Sequence, residues 1–259
     1  MEYARLSETV KIKTVSETEK EGVFEIEGLY TGYGLTLGNA LRRVLLSSLP
    51  GAAITRVKIK GAEHEFSTVP GVKEDIVEIT LNLKRIRFKL HVNEPQVLTL
   101  KVKGENKTTA ADIAANANVE IINPDAPIAT LTSKNAELNM EITVEKGLGY
   151  VPVEARKTEK LPIGTVLIDA IFTPITKINF TIENMRVGER TDYNRLRIDI
   201  KTDGSISPSN ALHKAANVLK DHFEKISAIE VKETETEKEA KAGKKKAPAK
   251  KKEVKKRKG

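Results

Sequence analysis

Apolar and charged residues alternate in short segments near the start of the chain. Val10 to Lys13 and Val23 to Leu29 follow this period-two pattern, which predicts strands with one buried face. From Thr36 to Leu49 the apolar spacing changes to three and four, which predicts a helix. Thr36 is the expected N-cap, and Pro50-Gly51 would end this helix.

The predicted helix has two different faces. Its apolar face would pack on a core and comprises Leu37, Ala40, Leu41, Val44, Leu45 and Ser48. Its other face comprises Asn39, Arg42, Arg43 and Leu46. A solvated basic surface is the ordinary interpretation of paired arginines. Arginine is also enriched in interface hot spots, so a helix that is already apolar on its opposite face is expected to be buried on both sides in an assembly.

Strand patterns dominate the middle of the chain. Residues 74–84 fit a helix about as well as a strand, and we favour a helix because Glu74 and Asp75 place carboxylates at its start. Segments 87–92 and 97–103, joined by Asn93-Glu94-Pro95, predict a hairpin. An irregular loop is expected over residues 147–164. Further strands are predicted at residues 54–60, 119–122, 128–131, 138–144 and 166–172.

The pattern near the end predicts two more strands, at residues 178–187 and 196–200, and then a helix that opens with Ser207-Pro208. Apolar residues recur along this helix at spacings of three and four, a narrow seam typical of helices that pair with another helix. The seam comprises Leu212, Ala215, Leu219, Phe223 and Ile226. The predicted fold class is α+β, with mostly antiparallel sheets.

Charge is distributed unevenly along the 259 residues. Residues 232–259 contain 13 Lys+Arg and 5 Asp+Glu, so this segment accounts for the whole net charge of +8. Residues 231–259 have almost nothing to bury, and we expect a disordered Lys-rich tail. Both a solubilising extension and a sequence-independent contact to DNA phosphates fit such a tail. The candidate DNA-contacting residues are Lys244, Lys245, Lys246, Lys250, Lys251, Lys252, Lys255, Lys256, Arg257 and Lys258.

The signatures of most enzymes are missing from the sequence. The chain has no cysteine, which excludes disulfides, thiolate metal sites and cysteine nucleophiles and favours a cytoplasmic protein. Its four histidines lack metal-binding spacing, and neither a P-loop nor a G-x-S-x-G motif is present. No apolar stretch reaches the ~18 residues of a membrane span. We therefore expect no catalytic residue, no metal and no cofactor.

Three glycines, Gly32, Gly34 and Gly38, lie between a predicted strand and a predicted helix. Their spacing differs from the dinucleotide-binding fingerprint, so tight-turn glycines are the better interpretation. A nucleotide-binding enzyme and a histone-like protein that binds DNA through its basic tail are the alternatives to a structural subunit.

Residues 32–48 read Gly-Tyr-Gly-Leu-Thr-Leu-Gly-Asn-Ala-Leu-Arg-Arg-Val-Leu-Leu-Ser-Ser and precede Pro50-Gly51. This run resembles the signature of the alpha subunits of bacterial-type DNA-directed RNA polymerase. Other motifs follow in the family's order, so that the resemblance spans roughly residues 5–230. These motifs lie at residues 64–68, 74–84, 149–152, 162–164, 187–192 and 211–219.

The resemblance implies a discontinuous dimerisation domain, residues 1–50 and 173–230, with two long helices packed on a sheet. An inserted, mostly antiparallel β domain, residues 51–172, would contact the large subunits. Such a protein is a non-catalytic subunit of a nucleotidyltransferase complex. It homodimerises, scaffolds the beta and beta-prime subunits for DNA-templated transcription, and works in the cytoplasm at the nucleoid.

The resemblance also implies residue roles. The beta contact falls on Arg43 and Leu46 with their neighbour Arg42, and the beta-prime contact falls on Lys84 and Ile168. Family members usually continue into a small helical DNA-binding domain, and nothing after Val231 is expected to fold that way. The implied dimer interface comprises Leu37, Leu41, Val44, Leu45, Leu212, Ala215, Leu219 and Phe223.

Overall fold

The computed structural model describes residues 8–156, 162 and 164–229. These residues form fourteen β-strands and three α-helices, which confirms the predicted α+β class. The helices are α1 (Tyr33–Ser47), α2 (Ile76–Leu83) and α3 (Pro208–Ser227). The strands are β1 (Lys11–Glu17), β2 (Glu21–Leu29), β3 (Pro50–Ile59), β4 (Phe88–Leu90), β5 (Gln96–Lys103), β6 (Asn106–Thr109), β7 (Val119–Ile121), β8 (Pro127–Leu131), β9 (Glu137–Leu148), β10 (Tyr150–Val151), β11 (Thr165–Leu167), β12 (Ala170–Ile171), β13 (Ile175–Val187) and β14 (Arg190–Thr202).

Residues up to Lys220 form one unit and residues from Asp221 onward form another, so the boundary falls within α3. The first unit contains two large hydrophobic cores. One core is built from residues before 50 and after 174, and the other from residues 54–168. Each core belongs to its own sheet.

The first sheet has four antiparallel strands in the order β1-β2-β14-β13. An early strand therefore pairs with a late one, with Phe24 of β2 opposite Ile198 of β14. Alternate residues of β2 and β14 are buried beneath α1 and the first turns of α3, as the period-two pattern predicts. For β1 the predicted buried face is wrong, because every residue of this edge strand is exposed. This packing explains why residues far apart in sequence share one core.

Ion pairs cross all four strands of the same sheet in one row. Lys13 on β1 contacts Glu27 on β2 at 2.7 Å, and Glu27 contacts Arg195 on β14 at 3.1 Å. Arg195 in turn lies 3.5 Å from Glu183 on β13. Lys13, followed by Arg195, holds the pKa of Glu27 below its usual value. The face that bears this row is consequently suited to water, and the opposite face to the helices.

The second sheet has six strands, with β5-β9-β3-β4-β7 in order and β11 added against β3. Helix α2 packs on this core through Ile76, Ile79 and Leu83, which are fully buried. The Asp75 carboxylate caps α2 by accepting the Glu78 amide proton at 2.7 Å. The prediction of a helix over this segment is therefore confirmed. Two small antiparallel pairs, β6 with β8 and β10 with β12, complete the arrangement.

The predicted hairpin between residues 87–92 and 97–103 is wrong. Strand β4 pairs with β3 and β7, whereas β5 pairs with β9. Alternation shows that a strand has one buried face, but it does not identify the neighbouring strand. The long β9 offers β5 eight paired positions, from Gln96 opposite Val144 to Lys103 opposite Glu137, and the three-residue β4 cannot match them.

Two boundary predictions are also corrected. Thr36 is not the N-cap, because α1 begins at Tyr33 after Gly32, whose φ of 85° is in the left-handed region. The predicted strand at 166–172 is divided into β11 and β12, since Asp169 between them turns toward Lys84. Part of the predicted loop at 147–164 also belongs to β9 and β10.

The residues proposed for DNA contact, from Lys244 to Lys258, lie outside the part of the chain that the structure describes. Within the described part, no helix is long and apolar enough to cross a membrane.

Candidate assembly surfaces

Helix α1 packs on β13 and β14 with glycines at the contact. A Cβ added at Gly38 would lie 2.8 Å from the Phe180 ring, and one added at Gly34 would lie 3.1 Å from Ile182. These two glycines are helical residues with ordinary φ angles, so the interpretation as tight-turn glycines is wrong for both of them. Only Gly32, with its left-handed φ, fits it.

The two predicted faces of α1 are separated in the structure. Leu41 and Leu45 are buried in the core of their own protomer, and Leu37 and Val44 are half-buried against it. Leu41 and Leu45 therefore pack inside the chain's own core, and the half-buried pair lies nearer to the surface. This division follows from the close approach of the helix to the sheet.

The outward face of α1 carries the arginine pair. Arg42 and Arg43 are exposed, and Leu46 is 38% exposed. No acidic side chain among the described residues pairs with either guanidinium. Leu35, 56% exposed, lies at the other end of the same face and was missed from the sequence. Its spacing of 11 residues from Leu46, three helical turns, was the available signal.

Helix α3 changes character along its length. Ala211 and Ala215 are fully buried, and Leu212 and Leu219 are half-buried. From Lys220 to the end of the described residues every side chain is exposed. In this last part Phe223 is 62% exposed and Ile226 is 59% exposed. The predicted seam thus divides into a part covered by the protomer and a part that presents large apolar side chains to solvent.

The residues predicted to contact beta-prime lie beside one groove of about 630 Å³. Lys84, at the end of α2, donates to the Asp169 carboxylate at 2.7 Å, so α2 is tied to the segment between β11 and β12. Ile168 lines the groove but its side chain is buried in the core. Asp169, which is half-buried, is therefore the polar side chain that this segment presents to the groove.

Asp169 organises the wall of this groove. Its second carboxylate oxygen accepts the Val153 amide proton at 2.9 Å. The hydrogen bond from Lys84, followed by that from Val153, holds the pKa of Asp169 below its usual value. Arg156, in the 3-10 turn Val153–Arg156, donates to the carbonyl oxygens of Thr55 and Ile168. The signal for Asp169 was its place as a single charge in an apolar run.

Residues 63–66 also line the groove. Phe66 is 74% exposed there, and the His64 ring lies 3.2 Å from the Ser67 hydroxyl. The described residues contain no group of three or more His, Asp or Glu side chains placed to hold a metal ion.

Comparison with known proteins identifies the class to which this two-sheet fold belongs. The family model described as "RNA polymerase Rpb3/RpoA insert domain" matches residues 57–173, which include α2 and most of the second sheet. The chain therefore contains an insert domain of the type found in multisubunit RNA polymerases.

Relatives extend the comparison to most of the chain. The DNA-directed RNA polymerase subunit alpha of Alkaliphilus oremlandii (strain OhILAs) is 52% identical over 214 residues, 83% of this chain and 67% of the relative. That of Symbiobacterium thermophilum is 52% identical over 219 residues, 84% and 69% of the two chains. That of Geobacter metallireducens is 48% identical over 237 residues, 89% and 69% of the two chains. The chain belongs to the family of DNA-directed RNA polymerase alpha subunits, which confirms the resemblance seen in the sequence.

Proposed function

We propose that this protein is the assembly scaffold of a DNA-directed RNA polymerase: a homodimer that binds the beta and beta-prime subunits and leaves nucleotidyl transfer to them. The observation that carries the proposal is the two-faced α1. Its inner face packs on the chain's own core, and its outer face combines two exposed arginines with exposed leucines at both ends. Arginines flanked by apolar residues have the composition of an interface hot spot.

The proposed dimer uses the exposed apolar end of α3. Phe223 and Ile226 continue the spacing of Leu212 and Leu219, and isolated helices with such an exposed stripe are marginal in water. A second copy supplies the same stripe, so the contact is self-complementary about a two-fold axis. Under this proposal residues 1–50 and 173–230 form the dimerisation domain, and residues 51–172 form the inserted domain.

The proposed contacts to the large subunits lie on separate surfaces. Arg42, Arg43 and Leu46 bind beta. The groove beside Lys84 and Asp169 binds beta-prime. Its volume of about 630 Å³ can accept protein side chains, and the exposed Phe66 that lines it offers an apolar contact.

The Lys-rich tail is proposed to add contacts to DNA in the assembled enzyme at the nucleoid. Residues 241–259 contain 11 basic residues and one acidic residue, so they can displace counterions from several phosphates without reading bases. The alternative of a histone-like protein needs the tail to act without any polymerase. The alternative of a nucleotide-binding enzyme is disfavoured, because Gly34 and Gly38, which would have to form the phosphate-binding loop, pack against a sheet.

The dimer is tested with Phe223→Asp. This side chain is exposed, so the change should leave the fold of the protomer intact. It places an unpartnered charge in the proposed contact, so the dissociation constant of the dimer should rise by about 100-fold or more. Light scattering measures the mass. Asn217→Asp is the matched control, because it adds the same charge to an exposed position on the opposite face of α3. A Phe223→Asp chain that stays dimeric at low micromolar concentration contradicts the placement of the interface.

The large-subunit contacts are tested with a crossed pair of variants, Arg43→Ala and Lys84→Ala. Loss of a desolvated interfacial arginine commonly costs ~2 kcal/mol, or about 30-fold in affinity. We therefore expect Arg43→Ala to weaken capture of beta and spare the dimer. Lys84→Ala should spare beta and weaken capture of beta-prime. Pull-down with each purified subunit measures both, and each variant is the control for the other. Equal losses of both partners in both variants would contradict separate surfaces.

The tail is tested by truncation after Val231 in the assembled polymerase. If the tail contacts ~5 phosphates, the logarithm of the DNA-binding constant should fall more steeply with the logarithm of the salt concentration in the intact enzyme. The slope should be steeper by about 4 to 5 than that of the truncated enzyme. Binding to promoter fragments with and without upstream DNA gives the slopes. Identical slopes would leave the tail a charged extension only.

A further inference from the structure

The motif at residues 187–192 has no role in the surfaces described above, yet it lies against the start of α1. Five residues form what we call the Arg190 clamp: Tyr30, Thr31, Arg190, Asp192 and Tyr193. The first two lie between β2 and α1, and the other three are in β14. The clamp therefore joins the β13–β14 hairpin to the helix that carries Arg43.

The centre of the clamp is a two-pronged ion pair. The Arg190 guanidinium donates from Nε to Asp192 Oδ1 at 3.0 Å and from Nη2 to Asp192 Oδ2 at 2.6 Å. Its central carbon also lies 5.3 Å from the Tyr30 ring centroid and 5.4 Å from that of Tyr193. The two rings meet edge to face at 6.1 Å. A guanidinium held by both a carboxylate and two aromatic faces has little freedom to rotate.

The Asp192 carboxylate also holds the segment that leads into α1. The Thr31 hydroxyl lies 2.8 Å from Asp192 Oδ2 and 2.7 Å from the Asp192 carbonyl oxygen, both acceptors. Arg190, followed by Thr31, holds the pKa of Asp192 at about 2, so the carboxylate is charged at any working pH. The next residue, Gly32, donates its amide proton to Asn194 Oδ1 at 2.9 Å. Asn194 is buried and also donates to Asn184 Oδ1 on β13 at 3.3 Å.

Helix α1 lacks the usual means of fixing its own start. Its N-cap is Gly32, which has no side chain, and its first turn contains no acidic residue. Ser, Thr, Asp and Asn at this position fix the helix start through a side-chain oxygen that accepts a backbone amide proton, which glycine cannot do. In this helix Thr31 and Gly32 are instead held by hydrogen bonds to residues of β14.

We propose that the Arg190 clamp is a positioning device that sets the direction of α1 and thereby the placement of Arg43 and Leu46 for beta; this inference rests on the proposed function. Arg43 is ten residues beyond Tyr33, about 15 Å along the helix axis. A tilt of roughly 4° about the helix start would move Arg43 by about 1 Å, and the equally small movement of Leu41 and Leu45 would preserve their core contacts. A hot-spot side chain fills a well-packed pocket on its partner, so a displacement of this size weakens the contact.

The test uses the full chain and the beta subunit of the same polymerase, with Asp192→Asn, Arg43→Ala and the double variant. Asp192→Asn keeps the shape of the side chain but removes its charge. We expect its affinity for beta to fall by about 5- to 10-fold, with the dimer mass unchanged and the melting temperature within about 3 °C of the parent. Glu137→Gln, which breaks an exposed ion pair with Lys103 elsewhere, is the control and should bind beta normally.

The double variant distinguishes positioning from an independent contribution. If the clamp acts through Arg43, Asp192→Asn should cost little once Arg43 is already alanine, so the two losses should not add. Thr31→Val, which removes one exposed hydroxyl, should give a smaller loss of the same kind. Hydrogen exchange should also speed up at the amides of residues 34–37 in Asp192→Asn, while the amides of β13 remain protected.

Each outcome bears on one of the two proposals. If Arg43→Ala weakens beta binding and Asp192→Asn does not, the clamp proposal is overturned and the proposed function stands. Fully additive losses overturn the clamp proposal as well, because they show two independent contacts. If Arg43→Ala binds beta as the parent does, the proposed beta surface is wrong, and the clamp has no contact to position.

Discussion

The close approach of α1 to β13 and β14 is the contact on which the rest of the proposed assembly depends. A Cβ at Gly38 would overlap the Phe180 ring and one at Gly34 would be tight against Ile182, so these glycines let the helix approach the sheet closely. Glycine inside a helix costs roughly 1 kcal/mol relative to alanine, so two of them in one 15-residue helix must be offset by packing. The offset is the burial of Leu41 and Leu45 against the strands of the first sheet.

This packing fixes the rotation of α1 as well as its depth. With Gly34, Gly38, Leu41 and Leu45 turned inward, Arg42, Arg43 and Leu46 have no alternative to the outer face. The ion-pair row through Glu27 and Arg195 makes the opposite face of the sheet polar, so the helices can occupy one side only. The packing of α1 on the four-stranded sheet thus determines which residues are available for the proposed dimer and large-subunit contacts.

The sequence predicted most elements and the family, because period-two and helical spacings are local properties. The two-faced α1 and the start of α3 at Pro208 follow directly from such spacings. The neighbours of β4 and β5 could not be predicted, since strand pairing depends on lengths and registers across the whole chain. The roles of Gly34 and Gly38 were missed for a similar reason: nothing near them in sequence reveals that Phe180 and Ile182 lie against them.

The candidate site was predictable in its residues and less so in their functions. Arg42, Arg43 and Lys84 are exposed or half-exposed as expected, whereas Leu41, Leu45, Ala215 and Ile168 belong to protomer cores. An apolar stripe on a helix shows that something covers it, but it does not distinguish the protomer's own sheet from a second copy. The roles of Asp169 and of the Arg190 clamp depend on contacts between segments that are distant in sequence, so they could not be predicted from local patterns.

Gly38→Ala gives the most direct test of the close helix–sheet contact, by urea denaturation of the purified chain. Helix propensity alone predicts a gain of roughly 1 kcal/mol in the free energy of unfolding. The close contact predicts a loss of about 1–3 kcal/mol instead, because the new methyl group meets the Phe180 ring at 2.8 Å and the buried Leu196 at 3.2 Å. Asn39→Ala, at the exposed neighbouring position, should show no such loss. A Gly38→Ala chain more stable than the parent would contradict the account.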